Sequence, residues 1–255
     1  MRLDGPFLFA FFLVFVRCSA MLAAAPVFGG SGLPVRVRVF LSVAIAGILA
    51  VALRPQAGEV PPDLIRAALA IANETVIGLV IGAMVSMCLS AAQMAGSVMD
   101  LQMGLSMGHI MNPSTGTSNT LLAEYKHLLA TVVFLCANGH HLMLAALARS
   151  FQVAPSWGWQ HMEALQTGGV ALLAHLALIA LQIAAPVLGV SILVDTAFGV
   201  VNKAVPQMPI FLVGLPAKIL AGLVALSVAL PAFTVAVRNL VEVGFEALWR
   251  VLAAG

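Results

Sequence analysis

DTAFGVVNKAVPQMPIFLVGLPAK, residues 195–218, places Asp195, Asn202, Lys203, a Pro206-Gln207-Met208-Pro209 break, Gly214, Pro216 and Lys218 in an otherwise apolar background. An Asp or Lys at the centre of a spanning helix costs roughly 2.5 to 3.5 kcal/mol, and each proline removes a backbone hydrogen bond that lipid cannot replace. Such a segment needs neighbouring protein to satisfy it. The stretch therefore points to packed membrane helices and away from a simple anchor.

The rest of the chain has the same character. Of 255 residues, 62% are hydrophobic and only 9% charged, with a mean hydropathy of +1.06. Soluble domains carry about 25% charged residues, so this is an integral membrane protein. The net charge is +2 and the twelve Lys and Arg are scattered, which leaves no basic patch for nucleic acid. Cys18, Cys88 and Cys136 sit singly in apolar runs without Cys-x-x-Cys spacing and read as small packing residues.

Apolar stretches long enough to cross a bilayer, about 20 residues each, fall near 7–25, 35–53, 64–92, 121–148, 168–194 and 210–237. The expected fold is all-α, with about six long apolar helices arranged as polytopic hairpins. The first resembles a signal peptide, but Asp4 beside Arg2 and Arg17 inside the run argue for retention. Loops are expected at 54–62, 112–119 and 154–166, the last with Trp157 and Trp159 at an interface. Six spans put Arg2, Arg54, Arg66, Arg149, Arg238 and Arg250 on one side, against Arg36, Arg38, Lys126 and Lys203 on the other, a weak lean to a cytoplasmic N-terminus. From Arg238 the chain alternates Val241, Phe245, Leu248 and Leu252 with Arg238, Glu242, Glu246 and Arg250, the pattern of an amphipathic helix.

The third stretch carries a stripe of small or polar residues: Glu74, Gly78, Gly82, Ser86, Ser90, Gln93, Ser97, Asp100, Gly104 and Gly108. It advances about 3.8 residues per step, more than the 3.6 of a straight helix, so it drifts in the sense of a right-handed wrap. Gly78-x-x-x-Gly82 and Gly104-x-x-x-Gly108 permit close backbone approach. A helix over 64–109 would measure about 67 Å against a hydrocarbon core of about 30 Å. Either it bends near Gly96 into a hairpin, or much of it lies within protein. Met99, Met103, Met107 and Met111 recur every four residues, as core gap-fillers or as a deformable seal on a conduit.

The same sequence offers groups for other chemistries. His127, His140, His141 and His175 lie in or beside apolar segments, the setting of a bis-histidine haem, but no carboxylate partner is evident. Intramembrane Glu74, Asp195 and Lys203 suit an ion-coupled carrier, but convincing inverted repeats are missing. No Walker or His-Glu-x-x-His motif occurs, so an enzyme is not expected.

Taken together, these residues resemble the flagellar biosynthetic protein FliR family and its SpaR/YscT-like counterparts in type III secretion. The resemblance covers nearly the whole chain: Arg17; Ala25-Pro26-Val27-Phe28-Gly29 with Pro34 and Arg36; Glu74, Gly78 and Gly82; Gly96, Asp100, Gln102 and Gly104. It is most specific at Asp195, Gly199, Asn202, Pro206-Gln207-Met208, Phe211, Gly214, Pro216, Lys218 and Gly222. Asn112-Pro113 stands where the family often has Asp-Pro, and Lys203 where Arg is common. The chain length favours the flagellar branch.

The resemblance implies a structural export-gate component without cofactor, metal or bond chemistry. It implies assembly with FliP and FliQ into a right-handed helical complex around a path for unfolded flagellar subunits. FlhB, with FlhA a further candidate, and membrane lipids are the other implied partners, in the bacterial inner membrane at the flagellar basal body. On that basis subunit assembly is expected to use Arg17, Pro26, Glu74, Gly78, Gly82, Asp100, Asp195, Gly199, Asn202, Lys203, Pro206, Gln207, Pro216 and Lys218. Asp195 is expected to pair with Lys203 or with a neighbouring subunit's cation. Met99, Met103, Met107 and Met111 become the channel gasket. The chain is expected to form one membrane domain over 1–255, with the amphipathic helix beginning near 238.

Overall fold

The computed structural model describes residues 5–29, 33–53, 63–106, 120–153, 159–207 and 210–253, and at 159–162 and 210–211 the backbone alone. Among these residues every regular element is a helix: α1 (Gly5–Ala24), α2 (Pro26–Gly29), α3 (Val35–Leu53), α4 (Leu64–Met103), α5 (Leu121–Cys136), α6 (Gly139–Val153), α7 (Trp159–Ala204), α8 (Ile210–Val228) and α9 (Leu230–Leu252). The all-α expectation holds. Four helices, α1, α3, α4 and α7, are long and apolar enough to cross a membrane, and two bent pairs bring the total to six.

The bent pairs correct two of the six expected stretches. α5 and α6 meet at 67°, because Asn138 takes a left-handed conformation with φ 58°. Its position before Gly139 is a helix-ending signal that the apolar run conceals. α8 and α9 meet at 61°, since Pro231 has no amide hydrogen and its ring excludes the carbonyl four residues back. The C-terminal amphipathic helix therefore starts at Leu230, before Arg238. Its Val241, Phe245, Leu248 and Leu252 are buried, with Arg238, Glu242, Glu246 and Arg250 exposed. α7 begins at Trp159, inside the stretch expected as loop.

α4 runs for 40 residues, about 60 Å, and continues through Gly96, which removes the hairpin alternative. Its end at Met103 is enforced by Gly104, at φ 79°. The Gly104 N–H donates to the Leu101 carbonyl at 3.3 Å and the Leu105 N–H to the Asp100 carbonyl at 3.0 Å, a Schellman turn. Of α4's apolar window 61% is buried inside the chain, against 17% for α3. α4 thus lies largely within protein, while α3 faces outward.

Contacts divide the chain into two compact units. The first comprises Met1–Met87, Asn138–Leu172 and Glu242–Gly255. Here α1 packs beside α3, and Cys18, Met21, Ile77, Ile81, Leu147 and Leu248 are core residues. The second comprises Cys88–Ala137 and Leu173–Val241, with Leu89, Met99, Phe134, Val187 and Val237 in its core. Cys18 and Cys88 pack as expected, whereas Cys136 is exposed. Lipid is as apolar as leucine, so such cores are held by close packing of small residues and by polar pairs.

Candidate functional site

In the first unit, α1 and the N-terminal part of α4 touch backbone to backbone. A Cβ at Gly78 would strike the Arg17 carbonyl oxygen, and one at Gly82 would lie 2.5 Å from the carbonyl oxygen of Met21. That proximity brings Arg17, 0% exposed, onto Glu74, 8% exposed. Arg17 Nε donates to Glu74 Oε2 at 2.5 Å, Nη2 to Oε1 at 3.1 Å and Nη1 to Ser150 Oγ at 2.9 Å. The guanidinium also lies 4.1 Å from the centre of the Phe151 ring. A bidentate, ring-capped pair satisfies two charges that lipid would not tolerate singly. Pro26 opens α2 directly after α1, and the Gly29 N–H donates to the Ala25 carbonyl at 2.6 Å, turning the chain toward α3.

In the second unit, Asp100 acts as a cap from another helix. Thr120 occupies the N-cap position of α5 but makes no side-chain cap bond. Asp100 Oδ2 instead accepts from the Leu122 N–H at 2.9 Å and the Ala123 N–H at 3.1 Å, where a carboxylate also meets the positive helix end. Gly96, one turn earlier, permits the approach, since its Cβ would lie 2.5 Å from the Leu122 carbonyl oxygen. Replacing Asp100 by Leu should leave two buried amides bare and cost about 2–5 kcal/mol, with protease access appearing at the start of α5. Asp100→Asn should recover part of that. Equal proteolysis of wild type and the Leu variant would remove this capping role.

The polar face opened by residues 195–218 is also in the second unit. Asp195, Phe198, Gly199 and Asn202 from α7 and Gly214, Leu215 and Lys218 from α8 line a groove of about 360 Å³. Lys218 Nζ donates to Asp195 Oδ2 at 2.7 Å, the two side chains being 16% and 53% exposed. This corrects the expected Asp195–Lys203 pairing: the partner is Lys218, and Lys203 is exposed. α7 ends at Ala204, and Pro206 and Gln207 form the exposed turn after it. Pro216 lies inside α8. A Cβ added at Gly199 would meet nothing within 4 Å, so among the described residues nothing near it demands glycine.

Met99 and Met103 are fully buried. Met103 lies on Gly222, whose Cβ would come 2.7 Å from the Met103 Cε. Both therefore pack the interior of this unit. Met107, Met111, Gly108, Met208, Pro209, the loops expected at 54–62 and 112–119, and residues 154–158 of the loop expected at 154–166 lie outside the described residues.

Sequence reasoning missed Lys126. Counted only among the charges of one membrane side, it is 1% exposed inside α5, with Nζ 3.9 Å from the centre of the Phe233 ring of α9. A desolvated cation–π contact of this kind contributes up to about 2 kcal/mol. The available signal was a lysine inside the apolar stretch 121–148, two residues after Glu124. Ser150, too, gave no sign of joining the Arg17–Glu74 pair.

The sequence profile of the bacterial export proteins, family 1, matches residues 8–243. The chain is 32% identical to the flagellar biosynthetic protein FliR of Bacillus subtilis (strain 168), over 96% of this chain and 95% of that protein. It is 27% identical to the protein of the same name from Escherichia coli (strain K12), over 87% and 84%. The surface presentation of antigens protein SpaR of Shigella sonnei is 29% identical over 55% of this chain and 56% of its own length.

Proposed function

The chain belongs to the family 1 bacterial export proteins, the FliR/SpaR family, and from that premise we propose that it is a structural subunit of the flagellar type III export gate. The observation that carries this reading is the match of the export-family profile across residues 8–243, joined to full-length similarity with FliR proteins. The chain is a membrane protein of the export apparatus. Within that role it assembles with FliP and FliQ in the inner membrane, around a path for unfolded flagellar subunits, and performs no bond chemistry.

The face of α7 and α8 around Asp195 and Lys218 is the assembly surface in this reading. Leu193, Val200, Leu212 and Leu220 are exposed on the same two helices, and a half-exposed ion pair in so apolar a setting is costly against lipid. A neighbouring subunit covering the face removes that cost, and Gly199 and Asn202 let its backbone approach. The buried Arg17–Glu74 pair and the Gly78 and Gly82 contacts hold the first unit together, and the Asp100 cap fixes the start of α5 in the second unit, to which this face belongs.

The test is native mass spectrometry of the tagged chain, co-expressed with its genomic neighbours and extracted in mild detergent. A complex containing several copies of small hydrophobic FliP- and FliQ-like chains is the expected result. A monomer or homodimer would sink the gate reading. In the same assay Lys218→Asp should reduce the complex at least tenfold while membrane insertion persists, and the exchange Asp195→Lys with Lys218→Asp should restore part of it. Equal recovery from the wild type and both variants would sink the assigned surface alone.

A further inference from the structure

α1, α3 and α4 border a cavity of about 400 Å³ within the first unit. Its walls are aliphatic, with Val16 and Ala23 from α1, Val39 from α3 and Leu79 from α4. Three hydroxyls line it, and each donates back into its own helix: Ser19 to the Val16 carbonyl at 2.9 Å, Ser42 to Arg38 at 2.8 Å and Thr75 to Ile71 at 2.8 Å. A polar solute finds few donors there, whereas an alkyl chain finds matching walls.

One end of the cavity is charged. Arg38 lines it, and its Nε and Nη2 donate to the carbonyls of Phe28 and Gly29, both at 2.9 Å. These bonds place the guanidinium beside the α2 turn, and its positive charge persists whatever bonds it makes. Arg36, two positions earlier in α3, is exposed and adds positive charge to the same helix end, whose first turn contains no acidic residue. From Val16 to Ala23 the groove follows about 10 Å of helix, most of one leaflet of a core about 30 Å thick. A cation at the hairpin turn and aliphatic walls running inward match an amphiphile with an anionic head.

We propose that this cavity is a binding site for an anionic phospholipid, with one acyl chain between α1, α3 and α4 and the phosphate at Arg38, in the positive field to which Arg36 adds. The proposal does not depend on the export reading, because all of its residues belong to one unit of this chain. It is tested on the full-length chain in nanodiscs of equimolar phosphatidylglycerol and phosphatidylethanolamine, by native mass spectrometry of the lipids retained on release. Retention of phosphatidylglycerol in preference to phosphatidylethanolamine is expected. Arg36→Gln should lower the preference about fivefold.

Arg38→Gln should lower it similarly, but Arg38 also ties down the α2 turn. Ala23→Phe, which fills the groove and keeps both arginines, is therefore the deciding variant and should abolish retention. Equal retention of the two lipids, or undiminished phosphatidylglycerol on Ala23→Phe, would overturn the site. Displacement by glycerol phosphate, which has the head without the chains, would also overturn it. So would capture of protein in place of lipid by a photoreactive side chain at position 39.

Discussion

Arg17→Met alone is expected to destabilise the protein by about 3–5 kcal/mol, and Glu74→Met by a similar amount, because each strands the other's charge in an apolar interior. The double variant Arg17→Met with Glu74→Met should recover most of the loss, since a matched apolar pair leaves no uncompensated charge. The readout exists in the protein. Cys18 and Cys88 are buried and Cys136 is exposed, so in a Cys136→Ser background maleimide labelling reports opening of the core. Labelling on heating in detergent should begin at markedly lower temperature in both single variants and return toward wild type in the double. If the losses of the two single variants simply add in the double variant, the pair is not the coupled unit described here. Ser150 adds a lesser arm: Ser150→Ala removes the bond to Arg17 Nη1, and a loss nearer 1 kcal/mol is expected.

The second large effect is at the α1–α4 crossing. Helix propensity alone says that Gly→Ala within α4 stabilises by about 1 kcal/mol. Packing says the reverse at Gly78 and Gly82, because a methyl group there meets main-chain atoms of Arg17 and Met21, which cannot swing aside as a side chain can. Overpacking of this kind costs about 1–3 kcal/mol per site, and separating the helices would also pull Arg17 away from Glu74. Gly78→Ala with Gly82→Ala should therefore lower the labelling temperature strongly. Gly47→Ala in α3 and Gly189→Ala in α7, where an added Cβ meets nothing within 4 Å, serve as controls and should be neutral or stabilising. If all four sites behave alike, the close approach is not what holds α1 against α4.

Much of this was readable beforehand, for identifiable reasons. Glu74, Gly78, Gly82 and Asp100 fall on one stripe of α4, and their spacing exposed a helix that must pack within protein. Arg17 drew attention as a charge in an apolar run. Its link to Glu74 did not, because the pair is separated by 57 positions and nothing local announces it. Asp195 shows the same limit: Lys203 was the near cation on its own helix, but the turn after Ala204 returns the chain and brings Lys218 to 2.7 Å.

Composition and periodicity by themselves determined that this is a membrane protein built of long apolar helices, with residues 195–218 demanding protein cover and α4 too long to be a simple span. Those properties follow from the cost of exposing charge or backbone to lipid, and that cost is paid residue by residue along the chain. Only the tertiary structure decided the partners: Glu74 for Arg17, the first turn of α5 for Asp100, Phe233 for Lys126 and Lys218 for Asp195. In an apolar chain almost any helix face can meet any other at similar energy, so the pairing is set by where backbones can approach most closely, at Gly78, Gly82 and Gly96, and by the few polar groups that must find one another.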